Sequence, residues 1–297
     1  MNEPIIHHYL PIFYLSKWIG PNQKLCRFSK PNSKVIVDEN VSPKSTGFEP
    51  HLYNFGETSL EIEYTQRIDN DAANVLTQIE QKGIACLSDP SVRKAWSKYL
   101  TLQLLRVPLE VNQLKLSIKQ EWHKSSQELQ TKHGSNLFNV EQIDQAEKDL
   151  MAEVAKDLFS HRGIVNLLQD MHWGVIQINP LSPSLLTSDK PIWHTATLAE
   201  ENAFLHLPIG PRLLFLCCKD KETYQRIKSF EPNQMSKKLN RITVAHAEKF
   251  VFGGDSSLLP FVSEHFGTRR HSGLFELVAK KRGLSILSER SPQYTRE

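Results

Sequence analysis

The chain is poor in the features that tie a protein to an oxidising compartment, a membrane or a polyanion. It has 4 cysteines, Cys26, Cys86, Cys217 and Cys218, with no Cys-x-x-Cys pair. The adjacent Cys217 and Cys218 cannot easily serve one tetrahedral metal. They lie in the apolar run Leu213 to Cys218, which reads as a buried strand. Reduced cysteines used as small hydrophobes are the expectation, and with them a cytoplasmic protein. No apolar run approaches the ~18 residues of a membrane span. Pro4, His7 and Pro11 interrupt the start, where the core of a secretory signal would run, so a soluble protein with no membrane partner is expected. Neither sign of charge dominates: 36 Lys and Arg stand against 33 Asp and Glu, a formal +3. That balance argues against a global nucleic-acid coat and leaves room for a local basic groove. There is no Walker-type loop and no Gly-x-Gly-x-x-Gly, since Gly253-Gly254-Asp255 is too short a signal. Metalloprotease and zinc-finger spacings are missing, as is the Gly-x-Ser-x-Gly elbow of a serine hydrolase, although Thr187-Ser188-Asp189 leaves a Ser188 nucleophile conceivable.

What is present begins at once. His7-His8-Tyr9-Leu10-Pro11 and Ile12-Phe13-Tyr14-Leu15-Ser16-Lys17-Trp18 put two imidazoles, a fixed-φ proline and a set of aromatics where most chains carry a polar tail. So apolar a segment is expected to dock onto the fold and carry the histidines with it. On an extended strand adjacent side chains take opposite faces, so one imidazole is expected to enter a cleft while the other packs or is solvated.

The rest reads as α+β: an N-terminal β-hairpin, a helical middle and a mostly antiparallel C-terminal sheet. Residues 1–288 are expected to form a single domain, with a flexible tail over 289–297. A short helix is expected over 11–19, and a hairpin from Leu25–Phe28 and Lys34–Val37. Residues 41–56 read as irregular. Helices follow from Ser59 to Gly83, from Asp89-Pro90 to about Arg106, to about residue 130, over 141–160 and over 162–171. Strands are expected at Val175–Ile178, near Thr187, at Phe204–Leu207 and at Leu213–Cys218, with Pro208–Pro211 as a turn. A helix is expected over Ser236–Phe250 and a polar loop over Ser263–His271.

Four groups carry candidate chemistry. His7 and His8 offer metal ligands or a general base; the alternative is a buried histidine bonded to a carbonyl. Glu61, Glu63 and Asp69 place carboxylates near them in the chain, the donor set a divalent cation needs; the alternative is a solvated helix face. Gln103 and Arg106 share a helix face at i, i+3 among Leu102, Leu104 and Leu105. Arg106 suits a phosphate or carboxylate clamp, or a structural ion pair to Glu61 or Asp69. Asp189, in Thr187-Ser188-Asp189-Lys190-Pro191, suits a ligand or a histidine-orienting carboxylate, or an Asx turn before proline. The short patch Arg269-Arg270-His271 reads as a solvated loop.

His7-His8-Tyr9-Leu10-Pro11 with Tyr14-Leu15, Glu61 to Ala73, Gln103 to Pro108, Thr187-Ser188-Asp189-x-Pro191, Leu207 to Pro211 and the helix at Asn240 together resemble a bacterial family, domain-of-unknown-function family 4238. The resemblance spans about residues 7 to 255. Ile12 departs from it, standing where the family often has glutamine. The resemblance implies no reaction. It implies that His8, Pro11, Gln103, Arg106 and Asp189 belong together.

The function expected from these groups is metal-assisted hydrolysis of nucleic acid or another phosphoester. A divalent ion on His7, His8, Glu61, Glu63 and Asp69 would activate water, with Arg106, Asp189 and Gln103 assisting His8. The alternative is a non-catalytic binding or sensing module, such as an accessory protein of a bacterial conflict or defence system, in which the His/Arg/Asp cluster is structural.

Overall fold

The computed structural model describes residues 6–54, 64–133, 140–195, 197–269 and 273–274. Its strands form three antiparallel sheets. β1 (Ile6–His8) pairs with β4 (Phe48–Pro50). A four-stranded sheet runs in the order β3 (Ile36–Val41), β2 (Leu25–Ser29), β10 (Phe250–Gly253), β6 (Thr187–Ser188). A second runs β5 (His172–Gln177), β9 (Leu213–Cys218), β8 (Phe204–Gly210), β7 (Trp193–His194). This is the α+β class expected, with helices α2 (Gln66–Lys82), α3 (Pro90–Leu105), α4 (Pro108–His133), α5 (Val140–Phe159) and α6 (Arg162–Asp170) making the helical middle.

The helix ends follow local chemistry. Gly83 closes α2 at φ +63, and the Asp89 carboxylate caps α3 at the Ser91 N–H ahead of Pro90. β2 and β3 form the expected hairpin, turning through Pro31–Ser33, where Asn32 and Ser33 take positive φ. The N-terminal segment docks. Pro11 precedes the helical turn α1 (Ile12–Leu15), continued as a 3-10 turn to Trp18, and Tyr14, Leu15 and Trp18 are fully buried. The Tyr14 hydroxyl bonds Thr187 Oγ1 at 2.7 Å and donates to the Pro208 carbonyl at 2.8 Å; Trp18 Nε1 donates to the Leu185 carbonyl at 2.8 Å. One short segment thereby ties both four-stranded sheets together.

Several local readings are corrected. Pro208 to Gly210 continue β8 instead of turning. Pro208 has no N–H to give to a ladder, and the register shift between Pro208 and Gly210 accommodates it. The helix expected over Ser236–Phe250 is α8 (Pro232–His246), and Phe250–Gly253 is a central strand, β10, because β2 and β6 pair with it from both sides. An unforeseen helix α7 (Lys221–Lys228) is capped by Asp220, and α9 (Leu259–His265) takes part of the expected polar loop. Within 41–56, β4 is ordered by pairing with β1. Both Cys217 and Cys218 are buried in β9, and all four cysteines are free thiols. Among the described residues no helix is long and apolar enough to cross a membrane. The expected tail at 289–297 lies outside the described residues.

Candidate functional site

Pairing of β1 with β4 sets the two histidines on opposite sides, as strand alternation requires. His7 is 3% exposed; its Nδ1 accepts the Tyr53 N–H at 2.8 Å, and its ring stacks on that of Tyr53 at 5.3 Å. His8 is half-buried and sits edge-on to Phe48, with Nε2 3.3 Å from the Lys44 carbonyl. A carbonyl only accepts, so Nε2 carries the proton and the neutral ring keeps its lone pair on Nδ1. Burial lowers the His8 pKa below its usual value, although the Lys44 carbonyl opposes this.

Arg106 ends α3 and is entirely buried. Its Nη1 contacts both Asp69 oxygens, at 2.9 and 3.0 Å. Its Nε donates to Gln103 Oε1 at 2.8 Å, and Nη2 donates to the same oxygen. Gln103 Nε2 in turn donates to the Tyr9 carbonyl at 3.1 Å. The Tyr53 hydroxyl reaches the His8 carbonyl at 3.4 Å and the Arg106 carbonyl at 3.3 Å. Burial works against the Arg106 cation, but the Asp69 carboxylate, with Tyr53 and Tyr99, outweighs it and raises the pKa. Burial raises the Asp69 pKa, and Arg106 opposes that shift. A planar fork bound by a carboxylate and an amide oxygen is a rigid arrangement.

The structure therefore gathers His7, His8, Asp69, Gln103 and Arg106 into one network centred on the N-terminal strand. Asp189 is placed differently. It follows β6, and its carboxylate accepts the backbone N–H groups of Glu248 at 3.0 Å, Phe250 at 3.2 Å and Lys249. Its own N–H donates to the Phe250 carbonyl at 3.0 Å. It stitches the turn between α8 and β10 onto β6, and it lines a cavity of about 10 Å³ together with Tyr9, whose carbonyl Gln103 bonds. Burial pushes its pKa up to about 6 against those N–H groups. Glu61 and Glu63 lie outside the described residues. Among the described residues no three His, Cys, Asp or Glu side chains are grouped to hold a metal ion. Ser188 Oγ donates to the Lys190 carbonyl and accepts the Lys190 N–H, a local turn. Arg269 is exposed; Arg270 and His271 lie outside the described residues.

A cleft that the sequence did not announce opens next to the network, between the C-terminal end of α3, the start of α4, β7 and α8. The cavity is about 40 Å³. Gln103 is on its wall, so the network and the cleft share a side chain. Trp193 and His194 of β7, and Thr243 and His246 of α8, face it. Behind Trp193, the ring of His206 stacks at 5.6 Å and 25°. His206 is fully buried, and both its ring nitrogens lack a hydrogen-bond partner among the described residues; burial and its neighbours His246 and His194 push its pKa down to about 3. Two signals mark this region in the sequence: a histidine inside an otherwise apolar strand, Phe204-Leu205-His206-Leu207, and the Trp193-His194 pair that directly follows Lys190-Pro191-Ile192.

No curated protein and no solved structure matches the chain. A family model does, over residues 6–257, which takes in β1 through β10 and every described member of the network. On that match the chain belongs to the family described as "Protein of unknown function (DUF4238)".

Proposed function

We propose that this protein is a non-catalytic binding module, and that its His/Arg/Asp network is a clasp that holds the N-terminal strand and α1 in place beside a ligand cleft. One observation carries this reading. The Arg106 side chain has no exposure, and each of its three guanidinium nitrogens already donates within the chain. A guanidinium that stabilises a phosphoryl transition state has to aim an N–H at the substrate. Asp189 is engaged in the same way, by three backbone N–H groups. The four buried free thiols support a cytoplasmic location.

The second reading is hydrolysis of a phosphoester, assisted by a divalent ion. It is favoured by His8 and Asp69, the two members of the network that keep partial exposure. The two readings separate in one assay. The full chain is incubated with magnesium, manganese or zinc and with p-nitrophenyl phosphate, bis-p-nitrophenyl phosphate and a labelled single-stranded oligonucleotide. No product above the His8→Ala background is expected. Turnover that His8→Ala abolishes in a folded protein refutes the binding-module reading in favour of the hydrolase.

A further inference from the structure

We propose that the segment Gly273–Leu274 is a strap that keeps the cleft beside Gln103 shut, latched on Glu110, and that the protein takes up a ligand only after this latch lets go. The inference rests on the binding-module reading and adds the regulation of that site.

The closed cleft is too small to work as it stands. Its 40 Å³ holds a few water molecules, whereas small-molecule sites run to ~300–1,000 Å³. A wall has to move, and most of the walls are tied into the fold. Gln103 belongs to α3 and is bonded on both sides, to Arg106 and to the Tyr9 carbonyl. Trp193 and His194 are part of the β7–β8 ladder, with the His206 ring packed against Trp193. Ile242, Thr243 and His246 belong to α8, whose Asn240 side chain bonds the backbone at Ser184 and Leu186.

Gly273 is a different kind of wall. It lies beyond α9, outside the sheets and helices that frame the rest of the cleft. Its neighbour Leu274 donates its N–H to Glu110 Oε1 at 2.6 Å, and the Leu274 side chain packs against the main core. Glu110 is 5% exposed and itself lines the cleft, so the latch and the cleft share this side chain. A hydrogen bond to a carboxylate is strong enough to hold a short segment down and weak enough to be broken by a binding event.

The fit is close, and it carries a cost. Gly273 is buried against α4, where a Cβ would lie 2.6 Å from Glu110 Oε1 and 2.9 Å from Gln113 Oε1. Glycine lets the backbone come that near. Gln113 Oε1 is buried and has no hydrogen-bond partner among the described residues. An acceptor denied water without a partner opposes the closed state by its desolvation cost, and it regains water when the strap lifts. Glu110 holds the strap down while Gln113 favours its release. A closed state balanced in this way is one that a ligand can shift.

The test is thiol labelling of the full chain carrying Thr243→Cys, a position 5% exposed on the cleft wall. Iodoacetamide is added under native conditions, and peptide mass spectrometry reads the introduced thiol and the buried Cys217 separately. Slow labelling of both is expected. Adding Glu110→Ala, which removes the latch acceptor, should speed labelling of the introduced thiol roughly 12- to 160-fold and leave Cys217 unchanged. Gly273→Val should speed it roughly 5- to 150-fold by forcing the strap off α4. Glu110→Gln keeps an oxygen in place and should restore most of the protection. If Glu110→Ala does not fold, Gly273→Val decides, since it leaves α4 untouched. Fast labelling of the introduced thiol behind an intact strap overturns the inference, as does a rate that neither strap variant changes. Labelling of Cys217 that rises in step overturns it too, because the domain and not the strap has then opened. The experiment needs no ligand and no turnover, so these outcomes leave the binding-module reading standing. Phosphoester turnover lost in His8→Ala overturns that reading and leaves the strap.

Discussion

Replacing the two partners of the buried ion pair one at a time should give unequal losses. Arg106 has a side-chain exposure of 0% and Asp69 of 22%, with Nη1 to Oδ1 at 2.9 Å. Asp69→Leu leaves a guanidinium stranded where water does not reach, bonded only to Gln103. Arg106→Met keeps side-chain volume and leaves a carboxylate that water still touches. Removing one partner of a buried pair costs about 3–5 kcal/mol. We expect Asp69→Leu at the upper end, raised by the loss of an acid from the first turn of α2, worth ~0.3–1 kcal/mol. Arg106→Met should fall at the lower end. At roughly 2–4 °C per kcal/mol, the melting temperature should drop by roughly 6–20 °C, more for Asp69→Leu. The double variant should cost less than the sum of the singles by ~1–3 kcal/mol, because its second change removes a charge the first had stranded. Urea denaturation at neutral pH, followed by circular dichroism, measures all four proteins. An Arg106→Met loss larger than that of Asp69→Leu, or single losses below ~1 kcal/mol, would refute the assignment of the pair as a clasp.

Three further outcomes follow from the packing. Gly174→Ala should destabilise by ~1–3 kcal/mol or more, since a Cβ there would lie 1.9 Å from Cε2 of the Tyr224 ring; a denaturant midpoint unchanged from wild type refutes it. Tyr14→Phe should cost ~1–3 kcal/mol by leaving the Pro208 carbonyl and the Thr187 hydroxyl without their partner, and thermal melting checks it. Asp189 and His206 should act oppositely on acid stability. The Asp189 pKa is raised from 3.8 to about 6, so the native state holds the extra proton and stability falls as pH rises through that window. The His206 pKa is lowered from 6.5 to about 3, so the unfolded state holds the extra proton and stability rises with pH there. Between pH 4 and 6, Asp189→Asn should make the slope of stability against pH more positive and His206→Phe less positive; slopes moving together would sink the assignment.

The elements legible in the sequence are those whose cause is local. Asp89-Pro90 starts α3 and Gly83 ends α2 because a cap and a positive φ need only their neighbours. The contact of Gln103 with Arg106 follows from i, i+3 geometry. Half of a site is also readable this way: polar residues in apolar runs, such as Arg106 among leucines, must find partners. The partner itself is not. Asp69 is 37 positions away, Tyr53 is 46 from His7, and Asp189 is about 60 from the N–H groups it accepts. Phe250 reads as the end of a helix until β2 and β6 flank the strand it begins.

What the amino-acid order determined on its own is the class of the fold, the docking of an aromatic N-terminus and the need of Arg106 for company. These rest on period, capping and the cost of burying charge, which act over one or two turns of chain. Tertiary structure alone decided that Asp69 and Gln103 supply that company, that Asp189 works as a staple, and that Trp193, His194, Thr243 and His246 meet at one cleft. Those contacts join residues whose separation along the chain carries no signal, and only the packing of three sheets against the helices brings them within bonding distance.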